Sequence, residues 1–302
     1  MDVDWLEDYI LLLDAGGFSR AAERRELSQP AFSRRIIALE SWLGTPLVVR
    51  GSHKLTPTPA GERFRSLAEE LLLRIYAART EVREMGASTK TEVRFAATPA
   101  LSLAYFAPWI KDLEEGRPLQ SMVLSVDTMT ACERQLQQGE VHFVLCHRHR
   151  DIKTPLDTPQ FLHLRLDDDP LIPLSAPAAN GDPIYRLTGD DAAPTKFLNY
   201  VRESGLFRII DGVRRIDLLN ASLDQIFASH SSMVLAAMAR DGRGVAWVPK
   251  CFIQDDLVSG RLVPAGDKQY EISTEIQLIR SRARQSEAAE RFWSAVTKRY
   301  RR

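Results

Sequence analysis

Three cysteines in 302 residues, Cys132, Cys146 and Cys251, are too few and too far apart for a disulfide framework, and no CxxC pair offers a cysteine zinc site. They are expected as buried, reduced thiols. No apolar run reaches the ~18 residues that a membrane span needs, and the opening stretch MDVDWLEDY is acidic where a signal peptide is basic. The chain therefore reads as unexported and cytoplasmic, with no membrane partner. Catalytic machinery is missing too. The six histidines form no HExxH, the HRHR run from His147 to Arg150 is too compact to make a metal site alone, and neither a GxSxG elbow nor a phosphate-cradling glycine loop occurs. No enzymatic activity, metal or cofactor is expected.

Net charge is absent as well. Forty basic residues balance forty acidic ones, a bulk figure that argues against nucleic acid. The distribution is uneven, however. Between Phe18 and Arg65 nine basic residues (Arg20, Arg24, Arg25, Arg34, Arg35, Arg50, Lys54, Arg63, Arg65) stand against four acidic ones (Glu23, Glu26, Glu40, Glu62). A basic island in a neutral chain is the footprint of a DNA-binding face, although a solvated charged surface gives the same count. The length and a 44% apolar fraction suit two or three folding units with cores of their own.

What is present begins with an apolar stripe at Trp5, Tyr9, Leu12 and Leu13, near helical spacing, that stops at Gly16 and Gly17. A short helix follows, opening at Ser19, carrying Ala21 and Ala22 and closing at Leu27. Ser28 then stands as an N-cap with Pro30 in the first turn, and Phe32, Ile36, Leu39 and Leu43 mark the inner face of the next helix before Gly44. Two helices joined by so short a turn make a helix-turn-helix. Leu47 to Val49, the turn GSHK and the return LTPT describe a small β wing. From Thr58 the helical period resumes at Ala60, Phe64, Leu67, Leu71, Ile75, Ala78, Val82 and Met85, a heptad-like seam that predicts a dimerising helix.

Beyond the polar stretch GASTKT (Gly86 to Thr91), strands alternate with helices, the texture of open α/β sheets. Strands are predicted at Val93 to Ala97, Met122 to Val126, Phe143 to Cys146, Phe197 to Tyr200, Ile209 to Ile210, Gly244 to Val248 and Thr274 to Arg280. Helices are predicted around Leu103 to Glu115, Ala131 to Gln138, Ser232 to Arg240 and Ser286 to Arg299.

Double-stranded DNA is the partner that the helix after Ser28 fits. Gln29 at its start can pair bidentately with adenine in the major groove, Arg34 and Arg35 can take a guanine edge or a phosphate, and Ser33 can donate to a phosphate. The amides near Ser28 and Gln29, just ahead of Pro30 in the first turn, would clamp a phosphate. In the wing, Arg50, His53 and Lys54 flank a tight turn that could enter the minor groove. Each of these residues has a plainer reading as a cap or a solvated surface group.

FSRAAERRELSQPAFSRRIIALESWLGTPLVVR (Phe18 to Arg50), followed by LTPTPAGE (Leu55 to Glu62), resembles the LysR-type transcriptional regulators, and the resemblance runs over the whole chain. It implies a winged helix-turn-helix at 1–57, a linker and dimerisation helix with a hinge at 58–90, and an effector-binding domain at 91–302. That domain would be α/β and two-lobed, like a periplasmic binding protein, with lobe I at 91–163 and 268–302 and lobe II at 164–267. Assembly as a homodimer or homotetramer is also implied, as are base and phosphate contacts at Gln29, Ser33 and Arg34. In GEVHFVLCH, His142 takes the place where the family often has aspartate.

A small effector would sit in the crevice outside the strand ends. Thr98, Ala100 and Ser102 flank the loop after the first strand, Thr128 follows the second and His147 the third. In the other lobe, Tyr200 and Arg202 lie just past a strand, and Ser231, Ser232 and Met233 open a helix. Hydroxyls, an arginine and a helix start would suit an anion such as a carboxylate. The stretches KFLNYVRESGLFRIIDG, SSMVLAAMARDGRGVAWVPKCFI and AERFW are similar to the hypochlorite-responsive branch of the family, which is associated with methionine oxidation. Met233 matches that branch, while Leu206 and Glu114 stand where it can have methionine. Oxidant sensing is thus the second reading. A transport-type binding protein, the reading from another class, would share the lobes and lack Phe18 to Arg50.

Overall fold

The computed structural model describes residues 2–49, 55–86, 92–114, 121–187, 194–215 and 222–300. It divides into two compact units, one essentially Met1–Arg83 and the other Glu84–Leu136 with Glu140–Arg302. Among the described residues no helix is long and apolar enough to cross a membrane.

In the first unit α1 (Val3–Ala15), α2 (Phe18–Arg24) and α3 (Gln29–Leu43) pack around Leu6, Tyr9, Leu12, Phe32, Ile36 and Leu39, all fully buried. Ser28 Oγ accepts from Ala31 N at 3.4 Å, the expected N-cap, and Gly44 ends α3 at φ 71°. The wing strands β1 (Val48–Val49) and β2 (Thr56–Pro57) pair antiparallel. Glu40, near the end of α3, ties them down, since its Oε1 accepts the amides of Leu47 at 2.8 Å and Val48 at 3.3 Å.

The long helix α4 (Pro59–Gly86) is capped by the Thr58 hydroxyl, which accepts from Gly61 N at 3.0 Å and donates to Pro46 O at 2.8 Å. Its predicted seam proves to be two stripes. Phe64, Ala68, Leu72 and Tyr76 are buried in the unit's own core, and Leu67, Leu71, Ala78 and Val82 are exposed. Both share one helix because positions four apart drift slowly around a 3.6-residue period. The hinge residues after Gly86 and the side chain of Met85 lie outside the described residues.

The second unit holds two lobes. In lobe I, β3 (Val93–Ala97), α5 (Pro99–Ala104), α6 (Phe106–Glu114), β4 (Met122–Val126), α7 (Met129–Gln137), β5 (Phe143–Arg148) and β6 (Phe161–Asp168) run in chain order. The sheet order is β4-β3-β5-β12-β6, with β3 parallel to β4 and β5. Its fifth member, β12 (Glu275–Ser281), returns late in the chain, antiparallel to both neighbours. Lobe II contains β7 (Leu171–Ser175), β8 (Thr195–Tyr200), α8 (Gly205–Arg215), β9 (Leu223–Ser229), α9 (Ser232–Arg240), β10 (Ala246–Pro249), α10 (Lys250–Val258) and β11 (Val263–Pro264). The sheet β10-β7-β11 meets the parallel pair β8-β9 through a bridge between Phe197 and Val245. The final helix α11 (Glu287–Tyr300) closes lobe I, burying Phe292, Trp293 and Val296 against Phe95 and Phe143.

Each lobe has its own core, around Phe95, Phe143 and Phe292 in one and Phe197, Trp247 and Ile210 in the other. The chain crosses outward at Asp169–Pro170 and returns at 272–274, where Leu171 and Ile272 exchange both backbone hydrogen bonds. These crossings lie a few residues beyond 163 and 268. Ile209 and Ile210 correct the sequence reading, because they belong to α8 and not to a strand. Leu206, Ile209, Ile210 and Val213 are all buried at spacings of 3, 1 and 3, the core face of a helix. The strands β6, β7 and β9 and the helix α10 were not foreseen. His142 is also resolved: its Nδ1 accepts the Arg94 amide at 2.9 Å, and its own amide donates to Arg94 O at 2.8 Å, so the imidazole stitches the start of β5 to β3.

Gly61 marks the tightest joint of the first unit. A Cβ there would lie 2.1 Å from Leu47 O and 2.5 Å from the Tyr9 hydroxyl. Gly61→Ala is expected to lower stability by about 1–3 kcal/mol through overpacking against backbone. A thermal unfolding midpoint equal to wild type would contradict this packing.

Candidate DNA interface and effector cleft

The exposed edge of α3 is built by what its other side buries. Phe32, Ile36 and Leu39 fix the helix on the core, which leaves Ser28, Gln29, Pro30 and Arg34 exposed and Ser33 half-buried. Gln29 and Arg34 make no hydrogen bond or ion pair among the described residues, so both are available to a partner. Ile37, one turn past Ser33 and Arg34, is 40% exposed on the same side, an apolar group among polar ones that the sequence reading did not single out.

Arg35 departs from the expectation. Its guanidinium turns back to α1, where it pairs with Asp4 Oδ2 and Asp8 Oδ2, each at 2.7 Å. Asp8 is fully buried and also meets Arg25 Nε at 2.7 Å, so one carboxylate holds α1, the turn after α2, and α3 together. Burial pushes the Asp8 carboxyl above the usual range, and the two guanidiniums pull against it. Arg25 also donates to Glu7 at 2.6 Å, and Glu7 accepts the Tyr76 hydroxyl of α4. Nothing in the sequence motif distinguishes Arg34 from Arg35; the acidic partners in α1 do. The wing residues Arg50, His53 and Lys54 lie outside the described residues.

In the second unit one recess collects residues from both lobes. Thr98, Ala100 and Thr128 line it from lobe I, and Ser204, His230 and Ser232 from lobe II. Pro99, Met129, Gly205 and Leu206 complete it, and the cavity volume is about 30 Å³, space for a very small ligand. Every one of these residues follows the carboxyl end of a parallel strand (β3, β4, β8 or β9), where open α/β sheets leave a crevice. The longer helices α7, α8 and α9 all begin here, so their N-terminal amides and dipoles favour negative charge. Thr98 Oγ1 is buried with no hydrogen-bond partner among the described residues, an unmet polar group on a residue that lines the recess.

The remaining cleft candidates are placed elsewhere. Tyr200 is buried behind the wall, its hydroxyl 2.8 Å from Ser232 Oγ. Ser102 turns to Pro99 O at 2.8 Å, and Ser231 precedes α9 outside the lining. Arg202 is exposed and Met233 is 53% exposed, neither lining the recess. His147 is buried against Asp169, its Nε2 2.8 Å from Oδ2. Ser204 and His230 went unrecognised because the helix and strand that carry them were misread or missed. An inter-lobe ion pair lies close by, Arg208 of α8 to Glu133 of α7 at 2.6 and 3.0 Å, with Glu133 almost fully buried.

The two arginines of α3 therefore have separable effects. Arg34→Ala is expected to weaken duplex binding by about 1–3 kcal/mol in a fluorescence-anisotropy titration while leaving the unfolding midpoint unchanged. Arg35→Ala should instead destabilise the unit by about 1–3 kcal/mol. It leaves the buried Asp8 with one guanidinium fewer, a cost moderated because Arg35 is itself a quarter exposed. Equal stability of the two variants would overturn the division of roles.

Residues 3–62 match the bacterial regulatory helix-turn-helix protein, lysR family, and residues 86–301 match the LysR substrate binding domain. The HTH-type transcriptional regulator YjiE of Escherichia coli (strain K12) is 31% identical over 97% of this chain and 93% of its own. Full-length HypT from Salmonella typhimurium, described as a hypochlorite-specific LysR-type transcriptional regulator, is 27% identical, with a TM-score of 0.58 over 100% of this chain and 99% of that one. Its regulatory domain with a bromide ion bound is 25% identical, with a TM-score of 0.58 over 70% of this chain and 96% of that one. Vibrio fischeri DarR, solved in complex with DNA, is 27% identical, with a TM-score of 0.56 over 97% of each chain. Carrying the helix-turn-helix in one unit and the two-lobed effector-binding fold in the other, the chain belongs to the LysR family of DNA-binding transcriptional regulators.

Proposed function

We propose that this regulator responds to a small anion held between its lobes, and that occupancy of the recess changes its affinity for promoter DNA. The observation that carries the reading is the convergence of the α7, α8 and α9 N-termini on a recess where the buried Thr98 hydroxyl is unmet. Among the described residues no side-chain carboxylate lines that recess, and its size admits an ion or a very short carboxylate. The bromide ion in the regulatory domain of HypT supports the same class of ligand. On DNA, Gln29 and Arg34 read bases or phosphates, Ser33 donates to a phosphate, and the wing carries Arg50, His53 and Lys54 to the minor groove. Copies pair through the exposed stripe of α4, as a dimer or a dimer of dimers. The protein acts in the cytoplasm as a switch and catalyses no reaction.

Switching by oxidants is the second reading, supported by the likeness to HypT and by Met129, which lines the recess. Leu206 lines it as well, an apolar group that oxidants leave unchanged.

One titration separates the readings. Bromide exchanged for a bulky anion at constant ionic strength should bind wild type by calorimetry and shift its affinity for a labelled fragment of its own upstream DNA. Thr98→Val should weaken bromide binding about 10-fold, the loss of one hydrogen bond to a charge, without altering DNA affinity in the bromide-free buffer. Identical bromide binding by both proteins would move the anion site elsewhere. A DNA response to hypochlorite, equal in both and matched by methionine sulfoxide in the mass spectrum, would favour the oxidant reading.

A further inference from the structure

Three side chains that the recess does not use meet where the lobes are joined. Asp169 stands at the outward crossing, its amide donating to Thr274 O at 2.9 Å and its carbonyl accepting the Thr274 hydroxyl. Its Oδ1 accepts the Cys251 amide at 2.7 Å, and its Oδ2 lies 2.8 Å from His147 Nε2. One nitrogen of His147, one carboxylate oxygen of Asp169 and Sγ of Cys251 all lie within 4.8 Å of one another. They come from different bodies: His147 from β5 of lobe I, Asp169 from the crossing, and Cys251 from the start of α10. Cys251 packs against the lobe I core, whereas Ile253, two residues on, is buried in lobe II.

A cap for α10 needs only the Asp169 carboxylate; it explains neither the thiol nor the imidazole. His147 Nδ1 is buried and has no hydrogen-bond partner among the described residues, so the ring is poorly served as a purely structural group. One nitrogen, one oxygen and one sulfur donor are the mixed set that zinc accepts at about 2.0–2.3 Å in a tetrahedral shell, and magnesium or calcium would refuse the sulfur. The three donors lie within 4.8 Å of one another, close enough for one ion to reach all of them. The amide bond to Oδ1 already orients the carboxylate, and Cys251 is only partly buried, which leaves a side for entry and for water as the fourth ligand.

We propose that His147, Asp169 and Cys251 form a binding site for a zinc-class divalent cation that fastens the two lobes at their crossing. On binding, the Cys251 thiol gives its proton to water as the metal–sulfur bond forms, and no oxidant or reductant is involved. Because binding releases the thiol proton, uptake should strengthen as pH rises.

The test uses the full chain, freed of metal by chelation, titrated with zinc chloride against a chromophoric chelator and separately with cobalt(II). Wild type should take up one equivalent per chain, show a thiolate-to-cobalt charge-transfer band with tetrahedral ligand-field bands, and gain thermal stability with zinc. Cys251→Ser should lose the charge-transfer band and bind zinc at least about 100-fold more weakly, beyond the loss expected for an outer-shell partner. His147→Gln, which keeps a hydrogen-bonding side chain beside Asp169, should keep the fold and lose the zinc-dependent stabilisation. No uptake by wild type, a cobalt spectrum without a thiolate band, or wild-type affinity in both variants would each overturn the site.

Discussion

A single buried carboxylate sets the pose of the DNA-reading helix. Asp8 has no exposed surface, and its attraction to Arg25 and Arg35 is what keeps an ionised group tolerable in an apolar core. Because the two guanidiniums come from either side of the turn, Arg25 just after α2 and Arg35 within α3, the carboxylate fixes the rotation of α3 about its own axis as well as its position. That rotation decides that Arg34 faces outward and Arg35 inward. Glu40 repeats the device at the far end of the helix by gripping the wing through two backbone amides. Packing of Phe32, Ile36 and Leu39 is non-directional; the ion pairs of Arg35 and the amide contacts of Glu40 add directional ties along the same helix.

Charge is handled differently in the effector-binding unit. Here polar groups are concentrated at strand ends, where hydroxyls and helix starts gather with no carboxylate among the described lining residues, an arrangement that favours negative charge. Arg208 and Glu133 join the lobes beside that region. Separating the lobes would return Glu133 to water but break a bidentate pair, so the desolvation cost and the attraction oppose each other at this contact.

Much of this architecture was written in the sequence as periodicity. The helix caps at Ser28 and Gly44, the inner face of α3 and the first two strands of lobe I are local signals, and they appear where the spacing placed them. The misread segment is instructive. Leu206, Ile209, Ile210 and Val213 carry a clean helical pattern, and the adjacent β-branched pair drew attention to strand propensity instead. β6 alternates Leu162, Leu164 and Leu166 with His163 and Arg165, a strand signal that the sequence reading passes over, and in β7 Pro173 interrupts a short apolar run. The recess was half legible. Thr98, Ala100, Thr128 and Ser232 follow from strand ends, but Ser204 and His230 depend on which distant strands end side by side. The role of Arg35 could not be read locally either, since its partners lie about thirty residues earlier in the chain.

The two stripes of α4 separate what folding demands from what association demands. Phe64, Ala68, Leu72 and Tyr76 answer to the unit's own core, and Leu67, Leu71 and Val82 are exposed and outside that core among the described residues. Drift along the outer stripe is therefore invisible to folding and is judged only by the company the helix keeps. A lineage could in this way redraw which chains recognise one another while its DNA-reading head stays as it was.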